Sequence, residues 1–427
     1  MPFARCLLFL FVSACATTGG GSFQANPLLV TEPEQPTTPV MRAVEAVVRK
    51  DLDTAQQHLS RALADEPTDA RALFVQACVF LERGSLKEAA GMVKRLREVA
   101  PTSLEGPVLE ALTERRGTHP TEDWRDAFVW AWEEAGRPAF EDRGLFSGMA
   151  VWDKIKASMA GAWARTDRVE VRLMLALAGV DLDKESRRWL LAHLEDIQDP
   201  GLLLAALAYF PKDIHPVEPR EALRSRLRRF ADEEPTEMQR ALLLLVDPHA
   251  PDAPFTEEEL RELERIVALP DYRSTSTVSL YAEAERLLRS AGVEQPAGGS
   301  FSALVQELGT HGPFLLLQVV DASAGTLSTD HRMRLGRALW SLGERMAAES
   351  TLIERMLGLN CRRKGAALLA DSERLARATM DLEEGRAVWL AARRLELDAW
   401  PLPSLQEAML AATLKDEWTH LRAFVAP

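Results

Sequence analysis

The chain has 427 residues, and its 64 acidic side chains outnumber 51 basic ones to give a formal charge of −13. A balance this acidic repels polyanions and excludes nucleic acid as the expected partner, while a local basic stretch such as Arg220 to Arg229 reads as a solvated helix face. Beyond the first residues no apolar run approaches the ~18–20 needed to span a bilayer, since Leu202 to Leu207 and Phe314 to Val320 are too short.

The amino terminus comes first. Arg5 is the only charged side chain among residues 1–14, and it precedes the apolar run Leu7 to Val12 and then Ser13, Ala14 and Cys15. A positive start, a brief apolar stretch and small residues before a cysteine are the parts of a removable export signal. Val12, Ser13, Ala14 and Cys15 together resemble the lipobox of bacterial lipoproteins. That resemblance implies a signal peptide over 1–14, with Cys15 as the first mature residue and a diacylglycerol on its sulfur. Two or three acyl chains would hold the protein to a membrane essentially permanently. Ala16 stands where an Asp retains many lipoproteins at the inner membrane, so the expected location is the outer membrane, facing the periplasm. The bland alternative is an ordinary secretory signal cut elsewhere, with Cys15 discarded or left as a free thiol.

Residues 15–37 read as a leash. Gly19 to Ser22 supply flexibility, and Pro27, Pro33 and Pro36, with Pro39 just beyond, supply extension. No lysine follows the glycines and no strand precedes them, so they are not a phosphate loop.

Helical patterning then begins and continues to the end. Pro67 and Pro101 are 34 residues apart, as are Ala55 and Ala89, and Ala77 and Ala111. Residues 36–103 resemble two tetratricopeptide (TPR) units, whose period is 34. In the second unit Leu73, Ala77 and Phe80 follow the first-helix pattern, Gly84 falls at the inter-helix turn, Ala89 sits where the second helix crosses closely, and Pro101 follows that helix. In the first unit Ala55, Ala62 and Pro67 take the equivalent places, although its first helix is degenerate. Small residues let helices approach, and glycine accepts the left-handed turn. Ser85 and Glu88 have the form of a capping box. Two units are too few to close a core, and Leu104 to Arg116 predicts the next helix, with Pro107 in place of a large residue. The repeat region is thus 38–118, followed by a degenerate helical region over 119–296 and a carboxyl-terminal helical region over 297–427.

Past residue 117 the 34-residue ruler fails, but helix signals persist. Thr236/Gln239, Thr256/Glu259 and Ser404/Glu407 have capping-box spacing, and prolines fall between amphipathic stretches. Asp247 to Pro254 and Glu294 to Ser300 are the expected internal boundaries. Leu335, Gly336, Leu339, Gly343 and Ala348 carry the spacing of a further TPR-like pair, with Asn360 at the place of the usual proline. No segment alternates with period 2. The expected fold is all-α: an α-solenoid of antiparallel helix pairs, TPR-like near the amino terminus and degenerate after it, with about twenty short helices.

Chemistry is sparse. The eight histidines are scattered, no zinc spacing or nucleophile elbow occurs, and neither a catalytic residue, a metal nor a cofactor is expected. His193 with Glu195 and His331 with Asp330 read as solvated neighbours. Cys78 and Cys361, the two cysteines left after processing besides the lipidated Cys15, read as separate buried thiols. Five of the ten tryptophans lie in 124–163, and Trp124, Phe128 and Trp132 share one helix face. That stripe reads as packing at the end of the repeat section, with a partner groove as the alternative and Trp130 pointing elsewhere.

The expected function is a non-catalytic, membrane-anchored scaffold binding envelope proteins. The combination resembles TPR-containing lipoproteins of gliding motility, pilus or secretion assembly, or outer-membrane biogenesis. Ala70 and Phe74 would face a partner groove lined by first helices. The alternative is an envelope enzyme or binding protein acting on peptidoglycan or polysaccharide.

Overall fold

A computed structural model describes residues 38–140, 144–145, 159–209, 225–226, 228–229, 232, 237–245, 255–308 other than 274 and 295, 311–395 other than 324, and 400–425. The signal segment with Cys15, the leash, Trp152, Thr236 and the stretch Asp247 to Pro254 lie outside the described residues. The described residues include eighteen α-helices of full extent and one three-residue 3-10 turn, with an isolated bridge between Glu237 and Asp271. The all-α architecture of paired helices is therefore present. The chain forms two compact units. One takes everything up to Trp152 together with Leu390–Thr413 and the residues from Thr419 onward; the other takes Asp153–Trp389 and Leu414–Trp418.

The first unit opens with α1 (Pro39–Val48), α2 (Leu52–Asp65), α3 (Ala70–Glu82), α4 (Leu86–Val99), α5 (Glu105–Thr118) and α6 (Trp124–Glu134). Four of these starts are sealed by side chains that accept orphan amide protons: Thr38, Asp51, Asp69 and Asp123. Ser85 occupies the cap of α4 but makes no side-chain bond there, so the expected box with Glu88 does not close. Pro107 sits in the first turn of α5, where a missing amide proton costs nothing. The helices pair in order, each pair packs on the next, and the first helices α1, α3 and α5 also touch. As the middle first helix, α3 is buried on every side from Ala72 to Val79.

The second unit is built on α7 (Val169–Leu177), α8 (Lys184–Ala192), α9 (Pro200–Tyr209), α10 (Met238–Leu245), α11 (Glu257–Val267), α12 (Thr277–Ser290), α13 (Ala297–Glu307), α14 (His311–Ser323), α15 (Thr329–Ala347) and α16 (Leu352–Leu368). Apolar α7 is enclosed by α9, α12 and α13. Thr256 and Glu259 close the capping box expected at α11. The Glu294 to Ser300 segment, expected as a boundary, instead joins α12 to α13, which pack together within this unit.

The tightest helix pair is α15 with α16. Gly336 and Gly343 on one helix face Gly365 and Gly358 on the other, two turns apart on each. A Cβ added to Gly343 would lie 2.5 Å from the Gly358 carbonyl oxygen, and one added to Gly365 would lie 2.7 Å from that of Gly336. Backbone touches backbone at both places. This corrects the TPR-like reading of the segment: Gly343 is inside α15 rather than at a turn, and Ala348 caps that helix. The glycines serve contact, not chain reversal. Each gives up about 1 kcal/mol of helix propensity relative to alanine, and the close approach it permits must return at least as much.

The chain ends with α17 (Ser372–Arg394) and α18 (Pro403–Arg422). The helix α18 is interrupted at Asp416, whose backbone is extended. Leu402 precedes α18, and Ser404 lies inside it, so no capping box with Glu407 forms there.

Gly343→Ala should lower stability by about 1–3 kcal/mol, the usual range for overpacking. Gly91→Ala, on the exposed side of α4 with nothing within 4 Å of the added carbon, should raise it by roughly 0.5–1 kcal/mol. Urea unfolding of the two variants separates steric contact from propensity.

Candidate functional site

The repeat landmarks fall where helices meet. Ala55, Leu73, Ala77 and Ala89 are fully buried, Ala62 nearly so, and Phe80 half-buried against the same core. Gly84 adopts φ +70° between α3 and α4. Pro67 and Pro101 follow α2 and α4 at the surface, and the Pro67 carbonyl accepts from Arg95 at 2.9 Å.

The expected partner groove is filled from within the chain. Phe74 is 1% exposed because Trp400 packs edge-on against it, with ring centroids 5.4 Å apart. Trp400 also meets Phe128 at 5.0 Å and Phe140 at 5.4 Å, so three aromatic rings enclose the indole. Leu402, Leu405, Met409 and Phe424 continue the same core. Polar contacts fix the register of this segment. The Ser404 amide and hydroxyl donate to the Glu82 carboxylate at 2.9 and 2.7 Å, and Lys50 pairs with Glu407. Phe74 is therefore a core residue rather than a groove residue, while Ala70 is half-buried at the start of α3. The correction has a simple cause: an α3 apolar on all sides must be covered, and the carboxyl-terminal segment covers it.

The tryptophan stripe belongs to this closure. Phe128 and Trp132 are buried, Trp132 against Phe424 at 5.6 Å, while Trp124 and Trp130 lie half-buried under Arg116 and Arg115. His420 is buried beside them and accepts at Nδ1 from Arg125 Nε at 2.8 Å. Burial, reinforced by the Arg125 charge, lowers the imidazole to about 3, so it is neutral at ordinary pH.

The histidines read from sequence as solvated neighbours of Glu195 and Asp330 are half-buried and bond other groups. His193 stacks on Trp189 and bonds its carbonyl, and His331 Nε2 meets Glu257 at 2.7 Å. Cys78 and Cys361 are both buried and free, and burial pushes both thiols up, that of Cys361 to about 12. They are inert in this state.

Sequence reasoning missed the most unusual chemistry, a buried ionic cluster in the second unit. Arg273 donates through Nε and Nη2 to both oxygens of Glu354 at 3.2 Å, and Nη2 also reaches Glu349 at 3.1 Å. Thr351 caps α16, and its hydroxyl donates to Glu354 at 2.6 Å. The Leu352 amide, at the first turn of α16, donates to Glu417 Oε2 at 2.6 Å, while the Glu417 amide donates to the Ser350 carbonyl at 2.9 Å. A negative charge at a helix amino terminus gains roughly 0.3–2 kcal/mol. An unpaired buried charge costs several kcal/mol. Burial wins, and with help from Glu354 and Asp416 it pushes the Glu417 carboxyl up to about 7. Burial likewise raises Glu354 and Glu349, against the opposing pull of Arg273. Thr351 to Glu354 has capping-box spacing and could have flagged one member; nothing in the sequence joins it to Arg273 or Glu417. Such carboxyls suit acid–base work in their protonation, but Glu354 and Glu417 are closed off from solvent. Among the described residues no group of three or more His, Cys, Asp or Glu side chains has the arrangement to hold a metal ion.

His420 generates a pH prediction. Its folded-state pKa lies below the unfolded value of about 6.5, so its contribution is present above that value and is lost as pH falls toward 3. The first unit should lose about 1.4 kcal/mol per pH unit between roughly pH 6 and 4 from this group. His420→Asn should flatten that slope in thermal melts, and an unchanged slope would contradict the assignment. Comparison of the chain with protein-family models, with curated proteins and with solved structures finds no match.

Proposed function

We propose that this chain is a non-catalytic scaffold of the bacterial cell envelope, tethered by lipid on Cys15 at the outer membrane and facing the periplasm, where it gathers protein partners. The observation that carries this reading is the ordered stack of three helix pairs, α1 to α6, the first two of which hold the 34-residue landmarks. Stacked helix pairs of this kind offer extended surfaces for polypeptide recognition. The lipobox-like sequence supplies the tether, and a tether raises the effective concentration of the scaffold near membrane-bound partners. Gliding motility, pilus or secretion assembly and outer-membrane biogenesis are the processes with which this combination fits by resemblance.

Because α3 is filled from within the chain, partner contacts in this reading fall on the exposed faces of α2 and α4. Lys87 and Lys94 project from α4 there, and neither contributes to the core.

The test is to crosslink gently, purify the protein from membranes with its anchor intact, and identify co-purifying proteins by mass spectrometry. A reproducible set of envelope proteins is expected, lost with Cys15→Ser and reduced several-fold with Lys87→Glu/Lys94→Glu. Recovery of lipidated protein alone would refute the scaffold and favour the reading in which the chain acts on peptidoglycan or polysaccharide.

A further inference from the structure

The interruption of α18 has a specific partner. At Glu417 the helix stops following its own ladder: the Glu417 amide turns to the Ser350 carbonyl, and the Glu417 carboxyl takes the Leu352 amide. The two bonds form a reciprocal clamp on the turn between α15 and α16. The clamp is built in an interior that already holds Glu349 and Glu354 against the single guanidinium of Arg273. The charged groups facing Glu417 are Glu354 and Arg355 of α16 and Asp416 of α18, with Arg273 and Glu349 behind Glu354. Arg355 is turned over the Trp418 ring, 4.3 Å from its centroid.

Full ionisation would place a buried Glu417 carboxylate beside Glu354, which already shares Arg273 with Glu349. A second feature points the same way. Among the described residues the buried Tyr272 hydroxyl has no hydrogen-bond partner, and of the nearby charges Glu354 acts on it most. A proton donor without an acceptor beside a crowded carboxylate set marks a place poised to rearrange its protons.

We propose that Glu417 is a proton-operated clasp: protonated, it holds the interruption of α18 against the first turn of α16, and on losing that proton to solvent it loosens the joint. The clasp is closed in mildly acidic surroundings and slack in alkaline ones. Its contribution is complete below about pH 4.5 and is lost as pH rises through 7, opposite in sign to that of His420. An exported protein experiences the pH outside the cell, and this joint would report it. The inference stands whether or not the scaffold reading does.

Because His420 contributes its own slope, the test must be local. Hydrogen exchange of the Leu352 amide in the intact chain, corrected for intrinsic rates, should show roughly tenfold less protection at pH 8 than at pH 6. Glu417→Gln should keep protection equal at both values, and Glu354→Gln should leave a pH-dependent step that moves to lower pH. Equal protection in the unmodified chain at pH 6 and 8 would overturn the proposal, and so would a tenfold loss that persists in Glu417→Gln. If Glu417→Gln does not fold, the exchange measurement on the unmodified chain still decides.

Discussion

Close approach of helices through missing side chains is the constraint on which both units rest. A helix pair gains by bringing backbones together, since dispersion contacts fall away steeply with distance. In the first unit the approach is made at alanines: Ala55, Ala62, Ala77 and Ala89 are all buried at crossings. In the second it is made at glycines, where even one added carbon would meet a backbone atom at 2.5–3.0 Å. The difference is physical. Alanine preserves helix propensity and suffices for repeated hairpins; glycine sacrifices propensity for the backbone-to-backbone contact of α15 and α16.

Close packing leaves little room for polar groups, and the chain treats them in two ways. At the carboxyl-terminal segment of the first unit they are paired, as with Ser404 on Glu82 and Arg125 on His420. In the second unit they are crowded, with Glu349, Glu354 and Glu417 gathered near Arg273. A fully paired contact rigidifies, whereas a crowded one stores a response to protons. These two groups are shifted in opposite senses: burial favours the neutral imidazole of His420 and the protonated carboxyl of Glu417.

The filling of the expected groove bears on what the protein can do. A buried Trp400 enclosed by Phe74, Phe128 and Phe140 anchors the carboxyl-terminal segment, since deleting a ring of this kind from a core costs about 3–5 kcal/mol. The surface of α3 that a partner was expected to use is covered by the chain's own carboxyl-terminal segment. In the proposed scaffold, recognition would fall to the exposed faces of α2 and α4, which suits contacts that are charged and readily reversed.

The sequence by itself determined the helical class, the 34-residue spacing of Ala55, Ala77 and Ala89 and their burial, the glycine turn at Gly84, the capping box at Thr256, and the separate buried thiols. These are local matters: periodicity, propensity and turn chemistry act within one or two helices and are written in neighbouring residues. It also supplied the lipobox resemblance, which is a matter of processing rather than packing. Only the tertiary structure decided that Phe74 is covered, that Gly343 is a contact rather than a turn, and that Arg273, Glu354 and Glu417 meet. Each of those depends on which distant segment a surface finds, and a chain with 64 carboxylates gives no local sign of which three will share an interior. Burial, not identity, assigns them their chemistry.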